Sequence, residues 1–122
     1  MKGRAGLDAV VVSNGLPYLS RWFLSDDRVR YRFAEVTSDF APDFSGADLL
    51  VVPNGSDHVA MWKARERVRG HLAGGGALLC ADGWFTGWVP GNRWVMDNSQ
   101  ATKDVRYRIR TDRHGLFDGV DL

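Results

Sequence analysis

Two side chains in this sequence suit nucleophilic chemistry, Cys80 and His58, and both lie close to loops rich in small polar residues. Cys80 is the chain's one cysteine, set where the apolar run ALLCA meets Asp82, Gly83 and Trp84. A cysteine attacks a carbonyl as its thiolate, so it needs a lowered pKa or an adjacent base. His58 can supply that base, with Asp57 or Asp82 to orient it. The plainer reading of Cys80 is a small buried hydrophobe, the usual state of a free cysteine. The plainer reading of His58 is a residue of an exposed first helical turn. Asp57, His58 and Asp82 are also ligand types that suit a divalent metal, but no diagnostic spacing links them, and neither metal nor cofactor is expected. Trp84, Trp88 and Trp94 can stack on a flat ligand such as a sugar. They equally suit a hydrophobic core or the surface of a homo-oligomer.

The elements that would position these groups are marked by apolar runs and breakers. LDAVVVSNG is a β-branched run closed by Ser13, Asn14 and Gly15, as expected of a buried strand entering a turn. PYLSRWFLSDD suggests a short helix. RVRYRFAEV alternates Val29, Tyr31 and Phe33 against Arg28, Arg30 and Arg32, the pattern of a strand near a sheet edge. A loop follows, broken by Pro42 and Gly46. Asp48 to Val52 reads as a second buried strand, stopped by Pro53, Asn54 and Gly55, with Ser56 or Asp57 available to cap a helix. That helix, HVAMWKARERVRGHL, carries Val59, Trp62, Val68 and Leu72 roughly on one face, and Gly74, Gly75 and Gly76 end it. ALLCA is a third apolar strand. Beyond the tryptophan-rich loop, KDVRYRIRTD alternates again and predicts a further strand, and HGLFDGVDL a terminal turn.

Alternating strands and helices with continuous apolar strands predict an α/β fold with a mostly parallel central sheet. Ligands of such sheets bind beyond the carboxyl ends of the strands, where the strand order reverses. Those ends here carry SNG, PNGSDH and ADGWFTGW. The candidate ligand-binding residues are therefore Asn14, Gly15, Asn54, Gly55, Asp57, Ala81, Asp82, Gly83, Trp84 and Trp88. Glycines there let a backbone approach a ligand closely.

The chain has 122 residues, 44% of them hydrophobic, and a formal net charge of +1. That size predicts one domain spanning 1–122. Near-neutral charge gives no general attraction to a polyanion, so no nucleic-acid partner is expected. No run approaches the roughly 18 apolar residues of a membrane span. The apolar stretch Ala9–Val12 is interrupted upstream by Asp8 and is too short for a signal peptide. One cysteine excludes an intramolecular disulfide framework. Together these features predict a soluble cytoplasmic protein.

ADLLVVPNG, the helix after it, and HLAGGGALLCADGWF together resemble the class I glutamine amidotransferase-like superfamily, in particular its trehalose-utilisation-protein-like branch. The resemblance spans most of residues 8–91. It implies a flavodoxin-like three-layer sandwich with a central parallel sheet, and it implies that the Gly55 amide matches an oxyanion-hole donor. The family's nucleophile elbow has the form Gly-x-Cys-x-Gly. Counting from the glycine-rich turn, or back from Gly83, places Ala81 at the cysteine position and Cys80 one residue early on the strand. Side chains alternate along a strand, so that offset turns the sulfur to the opposite face. Alternatively, Cys80 is the elbow residue and Asp82 an insertion. Family enzymes pair their cysteine with a downstream histidine and glutamate, which this chain does not show. DRHGLFDG instead resembles a His-Pro-Leu-Phe-x-Gly segment of related sequences. The chain is also short for the family, which leaves room for a domain truncated at its C-terminus.

Two functions follow. In the first, the domain lacks classical amidotransferase activity and binds a small polar or carbohydrate-like ligand, or a partner, at the strand-end cleft. In the second, it is a cysteine-dependent hydrolase or amidotransferase using Cys80 with His58, and Gly55 donates to the oxyanion.

Overall fold

The computed structural model describes residues 6–81, 86–93, 97–105 and 109–120. Its frame is a four-stranded, all-parallel sheet with strand order β2-β1-β3-β4. The strands are β1 (Leu7–Ser13), β2 (Val29–Glu35), β3 (Leu49–Val52) and β4 (Ala77–Cys80). The helices are α1 (Leu19–Trp22), α2 (His58–Lys63) and α3 (Arg65–Ala73). β1 and β3 lie centrally, and their apolar runs are almost wholly buried. β2 is an edge strand, as its alternation predicts, with Arg30 and Arg32 exposed and Val29, Tyr31 and Phe33 half-buried.

Register is held at the amino ends of the strands. Asp8 stands opposite Arg30 across the β1–β2 ladder, and the guanidinium donates to both carboxylate oxygens at 2.7 and 2.9 Å. The Asp8 and Asp48 backbones are tied twice: Asp48 N–H donates to the Asp8 carbonyl, and Asp8 N–H donates to the Asp48 carboxylate. An exposed pair such as Arg30–Asp8 contributes little to stability, up to about 1 kcal/mol. Its geometry nevertheless disfavours a one-residue slip, which would turn every β1 side chain to the wrong face. At the entry to β2, the Asp26 carboxylate accepts N–H bonds from Val29 and Arg28, which hold its pKa below the usual carboxylate range.

The core lies between the sheet and the α2–α3 layer. Val10, Val12, Leu50 and Val52 pack with Ala60, Met61, Ala64, Val68, Phe40, Phe44 and Trp88. The helical segment differs from its sequence reading in two respects. It is broken at Ala64, which ends α2 and starts α3. Its buried row is Ala60, Ala64 and Val68 with Met61, while Val59 and Trp62 are exposed. Ala60, Ala64, Val68 and Leu72 follow i, i+4 spacing, and their small side chains let the helix approach the sheet. Trp62 instead lies outside, with the Arg65 guanidinium 4.2 Å above its ring.

The helix terminus is built by the three glycines. Gly75 adopts φ +91°, its N–H donates to the Leu72 carbonyl, and Gly76 N–H donates to the His71 carbonyl. This paired arrangement is a Schellman motif, which satisfies carbonyls the helix leaves open. It turns the chain so that Ala77 enters β4. The expected strand in 103–112 is not found in its described parts: Thr102–Asp104 form a 3-10 turn, and 109–112 carry no strand. Alternation alone does not make a strand, which needs a neighbouring ladder and a covered face. Residues 106–108 of that stretch lie outside the described residues. In the terminal turn, the Asp112 carboxylate accepts N–H bonds from Leu116 and Phe117 at 2.9 Å.

Two glycine variants separate conformational need from helix propensity. Gly75→Ala forces an L-residue into the left-handed region and should cost about 1–2 kcal/mol. Gly70→Ala, inside α3 with open space around it, should stabilise by roughly 0.5–1 kcal/mol. Urea unfolding of the two variants measures both; equal effects would contradict the assigned helix end.

Candidate functional site

In the order β2-β1-β3-β4 the chain winds one way from β1 to β2 and the other way from β3 to β4, so the reversal falls between β1 and β3. In doubly wound folds the loops leaving the carboxyl ends of the two strands at such a reversal are where ligands bind. Here they are the SNG and PNGSD segments, and a side chain joins them: Asn14 Nδ2 donates to the Gly55 carbonyl at 2.7 Å. Asn14 Oδ1 is buried and has no hydrogen-bond partner among the described residues.

Each loop is shaped by its own short bonds. Ser13 is buried, its carbonyl accepts from Val36 N–H at 2.7 Å, and its hydroxyl accepts from Gly15 N–H at 3.3 Å. Gly15 takes φ +70°, which reverses the chain directly after β1. In the second loop, the Ser56 hydroxyl donates to the Pro53 carbonyl at 2.6 Å. Asp57 is the N-cap of α2, its Oδ1 accepting from Ala60 N–H at 2.9 Å. The Asp57 carboxylate therefore has a structural duty, one of the two caps the sequence offers. His58 follows as the first residue of α2 and is half-buried.

Cys80 ends β4. It stands opposite Val52 in the β3–β4 register, as Leu78 stands opposite Leu50. Its half-buried side chain, like that of Leu78, packs against the cluster beneath α2 and α3. Leu79 points to the other face and is 58% exposed. The next residue, Ala81, continues the ladder, its N–H donating to the Val52 carbonyl at 2.9 Å. Trp88 is 1% exposed and belongs to the same core cluster, so its ring is a core element. Asp82, Gly83 and Trp84, together with Trp94, lie outside the described residues. Among the described residues, no group of three or more His, Cys, Asp or Glu side chains could hold a metal ion. Nor is any described helix long and apolar enough to cross a membrane.

A concavity of about 390 Å³ opens at the ends of β3 and β4, on the face that Val51 and Leu79 share. Tyr18, Leu19 and Trp22 of the α1 region line it together with Val51, Asn54 and Leu79. Sequence reading did not single out Tyr18, Trp22 or Leu79. The mixed periodicity around α1 hid them, although Trp22 is 79% exposed, an unusual placement for so large a ring. A tryptophan in a four-residue helix with no buried stripe was the available signal.

Comparison with family models, curated proteins and solved structures finds no match to this chain.

Asp57 gives a direct check of how the second loop is built. Asp57→Ala should lower stability by about 1 kcal/mol through loss of the cap, and Asp57→Asn, which can still accept the Ala60 N–H, by much less. Thermal unfolding followed by circular dichroism distinguishes them; equal losses would mean that the negative charge, and not the cap, is what the loop needs.

Proposed function

We propose that the chain is a flavodoxin-like, glutamine amidotransferase-like domain of the trehalose-utilisation-protein-like branch. On this reading it lacks classical amidotransferase chemistry and binds a small polar or carbohydrate-like ligand, or a partner, at its strand-end cleft. The strand order supports the fold assignment, because 2-1-3-4 is the opening of the doubly wound order 2-1-3-4-5. A three-layer sandwich would follow from that winding.

The observation that carries the functional reading is the side-chain direction of Cys80. Its sulfur-bearing side chain goes with Leu78 into the layer beneath α2 and α3. A nucleophile must meet its substrate's carbonyl, and a side chain built into a core layer is placed for packing. The groups around it are similarly committed. The Ala81 amide belongs to the sheet ladder, and Asp57 caps α2. What the strand ends offer a ligand is the Asn14–Gly55 clamp and the glycine turns on either side of it. These are hydrogen-bonding elements, suited to recognition.

Thiol chemistry tests this reading. Iodoacetamide should label Cys80 much more slowly in the folded protein than in urea, and Cys80→Ala should leave ligand binding unchanged. Rapid labelling of the folded protein near neutral pH, slowed by His58→Ala, would overturn it. That outcome would favour a cysteine-dependent hydrolase or amidotransferase with Gly55 as oxyanion donor.

A further inference from the structure

The concavity beside α1 is lined by described residues throughout, and none of them is charged. Its deepest side chains are Val51 and Leu19, each 3% exposed. Leu79, the ladder partner of Val51, lines it too, with Tyr18 and Trp22. Tyr18 is the N-cap of α1 and Trp22 its last residue. Four positions apart, they lie on one side of the helical turn. Trp22 is 79% and Leu79 58% exposed, so apolar surface stands open around a buried floor. Exposed apolar area of this kind marks an interaction site. The volume of about 390 Å³ falls in the range of small-molecule pockets, roughly 300–1,000 Å³.

The dimensions decide what fits. α1 has four residues, so its wall is about 6 Å long at a rise of 1.5 Å per residue. The floor spans β3 and β4, neighbouring strands roughly 4.8 Å apart. A docked helix needs anchors at i, i+3, i+4 and i+7, a length of about 10 Å that this wall does not offer. One or two fused rings do match it. The chemistry points the same way. Tyr18 and Trp22 carry π-systems on which another ring packs, offset or edge-on. With no charged side chain in the lining, an ionised ligand would lose its hydration without gaining a partner. Asn54 and Tyr18 bring hydrogen-bonding groups to the lining, enough for one polar substituent.

We propose that this concavity binds a neutral, flat aromatic compound of one or two rings, of the phenol or indole class. The ligand lies between the Tyr18 and Trp22 rings and the Val51–Leu79 pair. Asn14 and Gly55 do not line the concavity, so this site is separate from the strand-end clamp and goes beyond the function proposed above. It also gives the exposed tryptophan of a four-residue helix a use: the ring is presented to a ligand. A second copy of the chain could cover the same apolar surface, and the test separates the two occupants.

The experiment is a titration of the full chain, labelled with ¹⁵N and with ¹³C in its methyl groups. The probes are 2-naphthol, its charged counterpart naphthalene-2-sulfonate, and cyclohexanol, which is neutral but not aromatic. The Trp22 indole N–H and the Val51 and Leu79 methyl signals should move together and saturate with 2-naphthol. The sulfonate and cyclohexanol should each bind roughly tenfold more weakly, the first for want of a counter-charge and the second for want of a π-face. Trp22→Ala should weaken 2-naphthol about tenfold, and Leu79→Thr should weaken it in the same direction. Both positions are exposed, and an unchanged backbone amide spectrum shows that the variants are folded. Equal binding of the three probes would overturn the proposal, as would shifts elsewhere while these three signals stay still, or no response to any probe. Movement of the same signals with protein concentration alone would also overturn it, because a second copy would then be the occupant.

Discussion

The direction of every side chain in β4, Cys80 included, depends on the pairing of β4 with β3. Alternate side chains of a strand face opposite layers, and the ladder sets Leu50 against Leu78 and Val52 against Cys80. Leu50 and Val52 are fully buried in the α2–α3 layer. Their partners must therefore face the same way, and Cys80 is directed to the core by the register of its strand. A slip of one residue would exchange Cys80 for Leu79 and place the sulfur on the opposite face. The direction of the Cys80 side chain is thus set by a ladder four residues long, preceded by the Schellman turn at Gly75 and the Ala77 N–H bond to the Asp48 carbonyl.

The same parallel arrangement collects the polar loops at one end. Every strand of the sheet runs in one direction, so SNG, PNGSD and the segment after Cys80 leave from the same rim. Apolar β1 and β3 supply the rigid base, and the amino ends, tied through Asp8, Asp48 and Arg30, keep register at a distance from the rim. The ion pairing of Asp8, Arg30 and Asp48 and the Asn14–Gly55 hydrogen bond thus lie at opposite ends of the strands. The apolar concavity beside α1 forms a further surface, on the face that Leu79 shares.

Much of this frame was legible in the sequence because it rests on short-range patterns. The runs VVVS and LLVV are β-branched or leucine-rich and bounded by turn residues, and the arginine alternation of β2 announced an edge. The Asp57 cap and the glycine stop were equally local. The face of the helix was not legible, because Val59 and Trp62 are more hydrophobic than Ala60 and Ala64. Hydrophobicity ranked the wrong row, whereas close packing on the sheet selects the small one. In the described parts of 103–112 the alternation forms no strand: residues 102–104 make a 3-10 turn. For the site, the SNG and PNGSD turns were legible from composition. The Asn14–Gly55 clamp, spanning 41 residues, was not. The sequence placed Cys80 at the end of a strand, but only the register gives its side chain a direction in space.

The most direct test of the central claim is the orientation of the Cys80 side chain, read from nuclear Overhauser contacts of its β-protons in isotope-labelled protein. The account predicts contacts to methyl groups of the core layer, those of Val52 and the α2–α3 helices, and none to Val51 or the α1 residues. Contacts to Val51 and Leu19 in place of the core methyls would contradict it, since they would put the sulfur on the other face of the sheet.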